Sequence, residues 1–427
     1  MPLGLYISVP FCRTKCSYCN FASDVFSRAV FSRYVERLCF DLEHAAETAR
    51  QMGARFEPAI DSVYLGGGTP TVLDISQLER IFVTISQNCE VAGGAEVTVE
   101  CAPGTLLPAV LEALQRCGVN RVSLGVQSFV DREAAAVGRL HKRETVLEDI
   151  RQLRAAGITN INVDLLAGLP YQTAESWELS LSDVIACGVP HVSVYMLEVD
   201  EDSRLGREVM AGGTKYYAHF VPDEDLTADL YVAACERLQA RGVKQYEISN
   251  FACGGYESRH NLKYWTRQPY LGFGVDAHSM LKLESLNLES EVEAVRFSAP
   301  DSLEDYLGAK PLTRTPISWQ AALEETFFLG LRLNEGVDLR DVSRLFGEES
   351  LRGFSESITE LVGDGLVERE REVIRLTPRG RLLSNEVFAR FITMGAPILA
   401  LFSCAEPALS EVEGVGFHER LRRSSAE

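Results

Sequence analysis

Short apolar runs rich in β-branched residues recur through the first half of the 427-residue chain. Between them lie longer stretches with apolar residues at helical spacing, and several end at a glycine, the usual residue just past a helix. Strands and helices that alternate in this way predict a parallel sheet with helices outside it. Six strands are too few for a closed eight-stranded barrel, so the pattern favours a partial, open (β/α)6 barrel or a doubly wound sheet. The predicted strands cover residues 5–9, 62–66, 96–100, 121–126, 161–166 and 191–197.

The pattern changes after residue 200. Residues 201–213 are polar and Gly-rich, which predicts a loop, and residues 258–280 are rich in aromatic residues and Gly without a clear period. From residue 317 to about 390, three helical patterns, two short strands and a final helix predict a winged-helix-like domain. The expected division is an α/β barrel domain over 1–310 with an extension over about 200–310, the winged-helix-like domain over 317–391 and a tail over 392–427.

The winged-helix-like pattern allows two roles. Such domains can bind DNA through their third helix, but phosphate contacts need Lys and Arg. The third predicted helix instead carries Glu356, Glu360 and Asp364, which favours a structural or protein-docking role. In the tail, the apolar residues from Ala396 to Phe402 predict a docked helix, followed by a disordered polar end.

Composition narrows the classes of partner and location. The chain is 46% hydrophobic and 24% charged, with 42 basic and 61 acidic residues and a net charge of −19. A chain this acidic repels nucleic acid and anionic membranes on average. No apolar run reaches the ~18 residues of a membrane span, and the N-terminus lacks the features of a signal peptide. We expect a cytoplasmic protein without a transmembrane segment, whose eleven cysteines are reduced thiols.

Three cysteines lie together directly after the first predicted strand. Cys12, Cys16 and Cys19 form a Cys-x3-Cys-x2-Cys loop. A structural zinc site takes four ligands, and no fourth is near in the sequence. A [4Fe–4S] cluster held by three cysteines leaves one iron open to the amino nitrogen and carboxylate of S-adenosylmethionine (SAM). With an external electron donor, such a cluster can cleave SAM to a 5′-deoxyadenosyl radical. The alternative is a group of buried or zinc-binding thiols.

The loop is similar to the signature of the radical SAM superfamily, and the surrounding sequence resembles the oxygen-independent coproporphyrinogen III oxidase family. The resemblance covers residues 5 to about 280, with the winged-helix-like pattern after them. It implies a partial radical SAM barrel that carries the cluster. The matching stretches are LYISVPFCRTKCSYCNF, YLGGGTPT, TVECAPGT, NRVSLGVQSF, VGRLHKR, NVDLLAGLP and HNLKYW.

The resemblance also implies a set of SAM contacts. A glycine run lets the backbone approach a ligand closely, Arg139 is suited to pair with the SAM carboxylate, and Glu100 can accept hydrogen bonds from ribose hydroxyls. Gln127 and Asp164, which are expected to end the fourth and fifth strands, match contacts to a second SAM, although Asp164 could instead cap a helix or form a buried ion pair. The resemblance assigns no catalytic side chain. The implied SAM residues are Tyr6, Gly67, Gly68, Thr69, Glu100, Gln127, Arg139 and Asp164.

Within this family, oxidases and heme carriers differ. Oxidases have an N-terminal extension and a fourth cysteine one residue after the third, whereas here the first strand begins near residue 3 and Phe21 occupies that position. Both features resemble the HemW branch, which is regarded as a group of heme chaperones. That branch has a His-Asn-x-x-Tyr motif, matched by His260, Asn261 and Tyr264. Imidazole is a normal axial ligand of heme iron, although a histidine packed among aromatic side chains is the alternative, and His278 is a second candidate ligand.

Two hypotheses therefore stand. The first is a heme-binding chaperone that carries the cluster and SAM and delivers heme to an unidentified acceptor protein. The second is a radical SAM enzyme that decarboxylates a porphyrin precursor or acts on another substrate. Intact cluster and SAM positions are compatible with both, and Phe21 favours the first.

Overall fold

The structure is a computed structural model that describes residues 1–201, 203–283 and 291–392. The predicted apolar patch from Ala396 to Phe402 and nearly all of the predicted tail lie outside these residues. The strands are β1 (Leu3–Val9), β2 (Ala59–Gly67), β3 (Glu90–Cys101), β4 (Arg121–Gln127), β5 (Asn160–Ala167), β6 (His191–Met196), β7 (Lys244–Gln245), β8 (Asn250–Ala252), β9 (Tyr270–Gly274), β10 (His278–Lys282), β11 (Val292–Ser298), β12 (Thr313–Ser318), β13 (Val337–Asp338), β14 (Val367–Glu370) and β15 (Val373–Leu376).

Most helices connect or flank these strands, and three short 3-10 segments cover Arg28–Val30, Pro70–Val72 and Lys215–Phe220. The predicted glycine stops are confirmed, since Gly118, Gly157 and Gly188 follow helix ends with positive φ angles. The helices are α1 (Phe31–Glu43), α2 (Ala45–Gln51), α3 (Ile75–Asn88), α4 (Pro108–Arg116), α5 (Asp131–Ala136), α6 (Arg143–Ala155), α7 (Ala174–Cys187), α8 (Arg204–Met210), α9 (Glu224–Gln239), α10 (Arg259–Trp265), α11 (Leu303–Leu307), α12 (Trp319–Gly330), α13 (Leu339–Phe346), α14 (Glu348–Arg352), α15 (Ser355–Gly363), α16 (Pro378–Leu382) and α17 (Ser384–Ala389).

A large sheet has the order β12-β11-β10-β9-β1-β2-β3-β4-β5-β6-β8-β7. Strands β1 to β6 are parallel neighbours in chain order, and β9 pairs in parallel with the other edge of β1. A doubly wound sheet would reverse its strand order at a switch point. The sequential order therefore selects the partial barrel from the two predicted architectures.

Alternate residues of the parallel strands have opposite environments. Leu5, Val63 and Val122 belong to the main apolar core, whereas the intervening positions include Ser62 and Ser123, which make polar contacts inside the barrel. Since side chains alternate across a strand, one set packs against the helices and the other fills the barrel. The interior is consequently polar along much of its length.

One prediction for the region after residue 200 is corrected. The predicted loop at 201–213 contains α8, because Ser203 caps it, with Oγ accepting from the Gly206 amide at 2.8 Å, and Leu205 is buried with Cys16 and Tyr18. Residues 258–280 contain α10, β9 and the start of β10. Helix α10 shows no amphipathic period because it is buried on several sides.

The C-terminal part follows the predicted winged-helix-like pattern. It contains α12 to α17 and a small antiparallel sheet ordered β13-β15-β14. The predicted third helix is divided into α14 and α15, with Gly353 between them. Its core includes Phe327 and Phe328 together with Trp265 of α10, so α10 lies between the barrel and this unit. Within the described ranges, no helix is both long and apolar enough to cross a membrane.

Candidate functional site

An open cavity lies where the parallel strands end. Its walls come from the three-cysteine loop after β1, the glycine turn after β2 and the last residues of β3 and β4. The carboxyl ends of parallel barrel strands are the usual position of binding sites. The predicted residues that line this cavity are Cys12, Cys16, Cys19, Gly67, Gly68, Thr69, Glu100, Gln127, Arg139, Asp164 and Asn261.

The cysteine loop is held in place by contacts to its own backbone and to the turn after α5. Lys15 Nζ donates to the carbonyls of Phe21 and Ser23 at 2.7 and 2.8 Å. Thr14 Oγ1 donates to the Gly138 carbonyl at 3.0 Å. The loop is therefore shaped by the half-buried Lys15, whose ammonium group satisfies two carbonyls. This arrangement fixes the three thiols at one side of the cavity.

The three thiols differ in exposure. Cys16 is buried, whereas Cys12 and Cys19 are half-buried. Burial raises the pKa of the Cys12 thiol, and the neighbouring Cys16 raises it further. Metal ligation requires thiolates, so binding a metal here must displace protons.

The glycine turn after β2 lies directly against this loop. The amides of Gly68 and Thr69 donate to the carbonyls of Val9 and Phe11 at 2.8 and 2.7 Å. A Cβ on Gly68 would come within 2.7 Å of the Phe11 oxygen and 3.0 Å of Cys12 Sγ. Gly67 has φ +99°, a left-handed conformation that favours glycine. Any side chain at Gly68 would therefore displace the cysteine loop.

Glu100 is positioned by a tyrosine from the neighbouring strand. Tyr64 Oη donates to Glu100 Oε1 at 2.8 Å, and a Cβ on Gly66 would lie 2.9 Å from the same carboxylate. Tyr6 lies beside Tyr64, with 6.1 Å between ring centroids, and is buried below the residues that line the cavity. Tyr6 is thus one layer away from the predicted SAM contacts.

Arg139 and Gln127 approach each other at the opposite wall. Arg139 Nη2 donates to Tyr18 Oη at 2.9 Å, and a Cβ on Gly125 would lie 3.3 Å from the same nitrogen. Gln127 has φ +68°, an uncommon conformation for a residue other than glycine. Its buried Oε1 has no hydrogen-bond partner within the described residues. An acceptor in this position can receive a hydrogen bond from a ligand.

Asp164 lies inside β5, not at its end. Ser123 Oγ donates to its Oδ2 at 3.1 Å, and Asn162 Nδ2 donates to its Oδ1 at 2.6 Å. Burial raises the pKa of Asp164, although these hydrogen bonds and Arg121 oppose the rise. Asp164 belongs to a polar network inside the barrel and also reaches the cavity.

These residues fit an iron–sulfur cluster with SAM. Three thiols line one cavity, the backbone at Gly67 and Gly68 leaves no room for side chains, and a carboxylate and a guanidinium flank the space. Within the described part of the chain, no group of three His, Cys, Asp or Glu side chains is placed to hold a single metal ion. In a cubane, each thiolate binds a different iron.

The residues of the predicted heme motif lie on α10, which packs against β2 and β3 through Ser62 and Glu96. His260 is buried, its Nδ1 is 3.0 Å from Ser62 Oγ and its Nε2 is 2.9 Å from Tyr264 Oη. Burial lowers the pKa of His260 to about 3, with Lys263 and Arg121 adding to the effect. An iron atom could reach either ring nitrogen only by displacing one of these hydroxyls. Of the three motif residues, Asn261 alone lines the cavity.

Helix α10 is attached to the barrel by a buried carboxylate. Glu96 accepts from the amides of Arg259 and His260 at 3.2 and 3.1 Å. The same carboxylate lies 4.0 Å from the buried guanidinium of Arg121. Carboxylates are favourable at helix N-termini, so Glu96 both caps α10 and balances the charge of Arg121.

Sequence reasoning missed several residues that orient the site. Tyr64 and Tyr18 contact the predicted SAM residues, and Lys15 shapes the cysteine loop. One signal was available for Arg121: in β4, Arg121 and Ser123 alternate with the apolar Val122 and Leu124, which points to a polar barrel interior. The others depend on contacts between distant segments.

Comparisons with known proteins agree with this arrangement. Residues 6–184 match the radical SAM superfamily, and residues 317–383 match the HemN C-terminal domain. The chain is 31% identical over 396 residues to "Heme chaperone HemW" of Lactococcus lactis, covering 92% of this chain and 97% of that protein. It is 32% identical over 392 residues to the protein of the same name in Bacillus subtilis, covering 91% and 98%.

A solved structure gives the same fold. Coproporphyrinogen III oxidase (HemN) from Escherichia coli, described as a radical SAM enzyme, superposes with a TM-score of 0.77 at 24% identity, covering 92% of this chain and 90% of that one. At this identity the likeness shows the fold alone. The sequence relatives extend over nearly the whole chain. Together with the cysteine loop and the partial barrel, they show that this chain belongs to the radical SAM superfamily and, within it, to the HemW family.

Proposed function

We propose that the protein is a heme chaperone that carries a [4Fe–4S] cluster on Cys12, Cys16 and Cys19, binds SAM beside it and transfers heme to an acceptor protein. The observation that carries the proposal is the extent of the similarity to two proteins named heme chaperone HemW, which spans over nine-tenths of this chain. Delivery requires an acceptor, and reduction of the cluster requires an electron donor. The proposal therefore implies two partners, a heme-accepting protein and a reductant of the cluster.

The cavity supports the cluster and SAM parts of the proposal. When bound, the cluster would supply a single electron and an open iron position. Gly67, Gly68 and Thr69 lie beside the thiols, and Glu100 and Arg139 line the same cavity, where we assign them to the ribose hydroxyls and to the carboxylate of SAM. Gln127 and Asp164 would contact a second SAM.

The cluster is tested by anaerobic reconstitution followed by iron and sulfide analysis. We expect about four iron atoms per chain in the unaltered protein and little in Cys16→Ala, since two thiolates hold a cubane poorly. Cys117→Ala is the control, because this half-buried thiol lies at the end of α4. Full cluster content in Cys16→Ala would contradict the assignment.

SAM binding is tested with Arg139→Ala. Loss of a charge-assisted hydrogen bond costs about 1.5–3 kcal/mol, or roughly tenfold or more in affinity. Arg143→Ala is the control, since Arg143 pairs with Asp183 on the surface at 2.6 Å. Equal SAM affinities in the two variants would remove Arg139 from the site.

Heme carriage and oxidase activity are separated by two assays on the reconstituted protein. Titration with heme should saturate, and incubation with coproporphyrinogen III, SAM and a reductant should give no decarboxylated product. Stoichiometric decarboxylation without saturable heme binding would make the chain an oxidase. Heme contact by His260, Asn261 and Tyr264 remains a prediction of the family resemblance.

A further inference from the structure

A heme-binding imidazole must present a ring nitrogen to the iron, and the histidines of this chain differ in that respect. The chain has seven, of which His418 lies outside the described residues. His141, His191 and His260 are buried with ring nitrogens in hydrogen bonds.

His44 Nδ1 lies 2.7 Å from the Phe40 carbonyl, and His278 Nε2 lies 3.7 Å from Asp276. His219 is exposed, and its ring lies against Phe220 with 4.0 Å between centroids.

The segment around His219 exposes an unusual number of aromatic side chains. Tyr216, Tyr217 and Phe220 are 41%, 47% and 43% exposed. Tyr171 lies beside them, with its ring centroid 5.3 Å from that of Tyr217 and 4.2 Å from that of Phe220. Contiguous exposed apolar groups mark binding surfaces. A flat aromatic ligand could bury these rings.

The backbone of this segment keeps the rings at the surface. Tyr216 and Tyr217 have φ angles of +54° and +60°, a left-handed conformation that costs about 1–2 kcal/mol for residues other than glycine. Between them and His219, Ala218 is buried in the small apolar cluster that also contains Cys16 and Tyr18. The buried alanine anchors the segment while its neighbours point outward. Strained residues of this kind concentrate at ligand-binding sites.

The charges nearby suit a ligand that is apolar in its centre and anionic at its edge. The Arg132 guanidinium lies 3.7 Å from the centre of the Tyr171 ring, and Lys215 is exposed at the start of the segment, with its Nζ 3.9 Å from Glu208. A porphyrin carries two propionates, and a chain with net charge −19 repels such a dianion on average. Local cations at the edge of the aromatic group would counter this repulsion.

We propose that heme binds to the surface formed by residues 215–220 with Tyr171 and Arg132, which we call the 215–220 surface. His219 supplies an axial ligand, the rings of Tyr217 and Phe220 pack against the macrocycle, and Arg132 and Lys215 pair with the propionates. The inference depends on the proposed heme-chaperone function and specifies its cargo site. Since Ala218 belongs to the same apolar cluster as Cys16 and Tyr18, heme would bind on the outer side of a segment whose buried face packs into that cluster.

The test is heme titration of the full-length protein, followed by visible absorption spectroscopy. His219→Ala should weaken binding about tenfold or more and shift the Soret band, because an axial ligand and its orientation are lost. The double variant Tyr217→Ser/Phe220→Ser should also weaken binding, while its spectrum keeps the imidazole signature. The control is His44→Ala. It removes another imidazole that is stacked on an exposed phenylalanine, Phe40, with 4.0 Å between ring centroids.

The outcomes separate this inference from the proposed function. If the unaltered protein shows no saturable heme binding, the chaperone proposal itself fails. If it binds heme and the His219 and His44 variants both bind with unchanged affinity and spectrum, the 215–220 surface is not the site. Loss of binding in His260→Gln together with retention in His219→Ala would also overturn the inference and assign heme to α10. Selective loss in His219→Ala supports it.

Discussion

The regions around His260 and His219 place the same kind of side chains in opposite environments. In α10, His260 is surrounded by Tyr6, Tyr64 and Tyr264 and is 1% exposed. In the 215–220 surface, His219 and its aromatic neighbours face solvent. Buried polar groups must find partners inside the protein, so the ring nitrogens of His260 are already used. An imidazole and aromatic rings therefore stabilise the fold in one region and remain available to a ligand in the other.

The contrast extends to what each region holds together. Helix α10 is connected to the barrel through Glu96 and to α12 through Arg267, which donates to Glu325 at 2.8 Å. Arg332 also lies 4.3 Å from the Trp265 ring centroid. The 215–220 surface has its single buried anchor at Ala218. Substitutions in the two regions should consequently differ in their effect on the free energy of unfolding.

The largest effect is expected at the base of α10. Glu96→Ala removes the carboxylate that lies 4.0 Å from the buried Arg121 and leaves the amides of Arg259 and His260 without their acceptor, which should lower the free energy of unfolding by about 3–5 kcal/mol. The measurement is chemical denaturation at pH 7. Glu90→Ala, at the exposed start of the same strand, is the control and should change stability by less than about 0.5 kcal/mol. Similar values for the two variants would mean that α10 is not held through Glu96.

An intermediate effect is expected from protonation of His260. Its folded pKa is about 3, below the unfolded value of about 6.5. The unfolded chain therefore binds more protons between these values, and stability is lost as the pH falls below about 6.5. Between pH 7 and pH 5 this residue alone should cost about 2 kcal/mol. Denaturation of His260→Gln at both pH values should show a correspondingly smaller loss of stability than the unaltered protein.

The smallest effect on stability is expected at the 215–220 surface. His219→Ala removes an exposed side chain, so the free energy of unfolding at pH 7 should change by less than about 0.5 kcal/mol, while heme affinity falls. Parallel denaturation and heme titration of this variant check both expectations. A destabilisation comparable to that of Glu96→Ala would show that His219 supports the fold, and the contrast between the two regions would be lost.

Much of the architecture could be predicted from the sequence. The six parallel strands and the glycine stops follow from local patterns, because β-branched runs and helix ends are encoded by neighbouring residues. The polar filling of the barrel was not anticipated. Arg121, Ser123 and Asn162 occupy alternate positions in two strands, and only strand pairing brings them together around Asp164.

The sequence by itself determined the superfamily, since Cys12, Cys16 and Cys19 lie in one short loop whose spacing is typical of it. Tertiary structure decided which residues are available to a ligand. His260 stood out in the sequence because of its motif, yet packing against Ser62 and Tyr264 occupies both of its ring nitrogens. His219 has no motif, and residues 201–213 just before it were predicted as a loop. The physical reason is that burial and hydrogen-bond satisfaction depend on segments far apart in the chain, which no local pattern records.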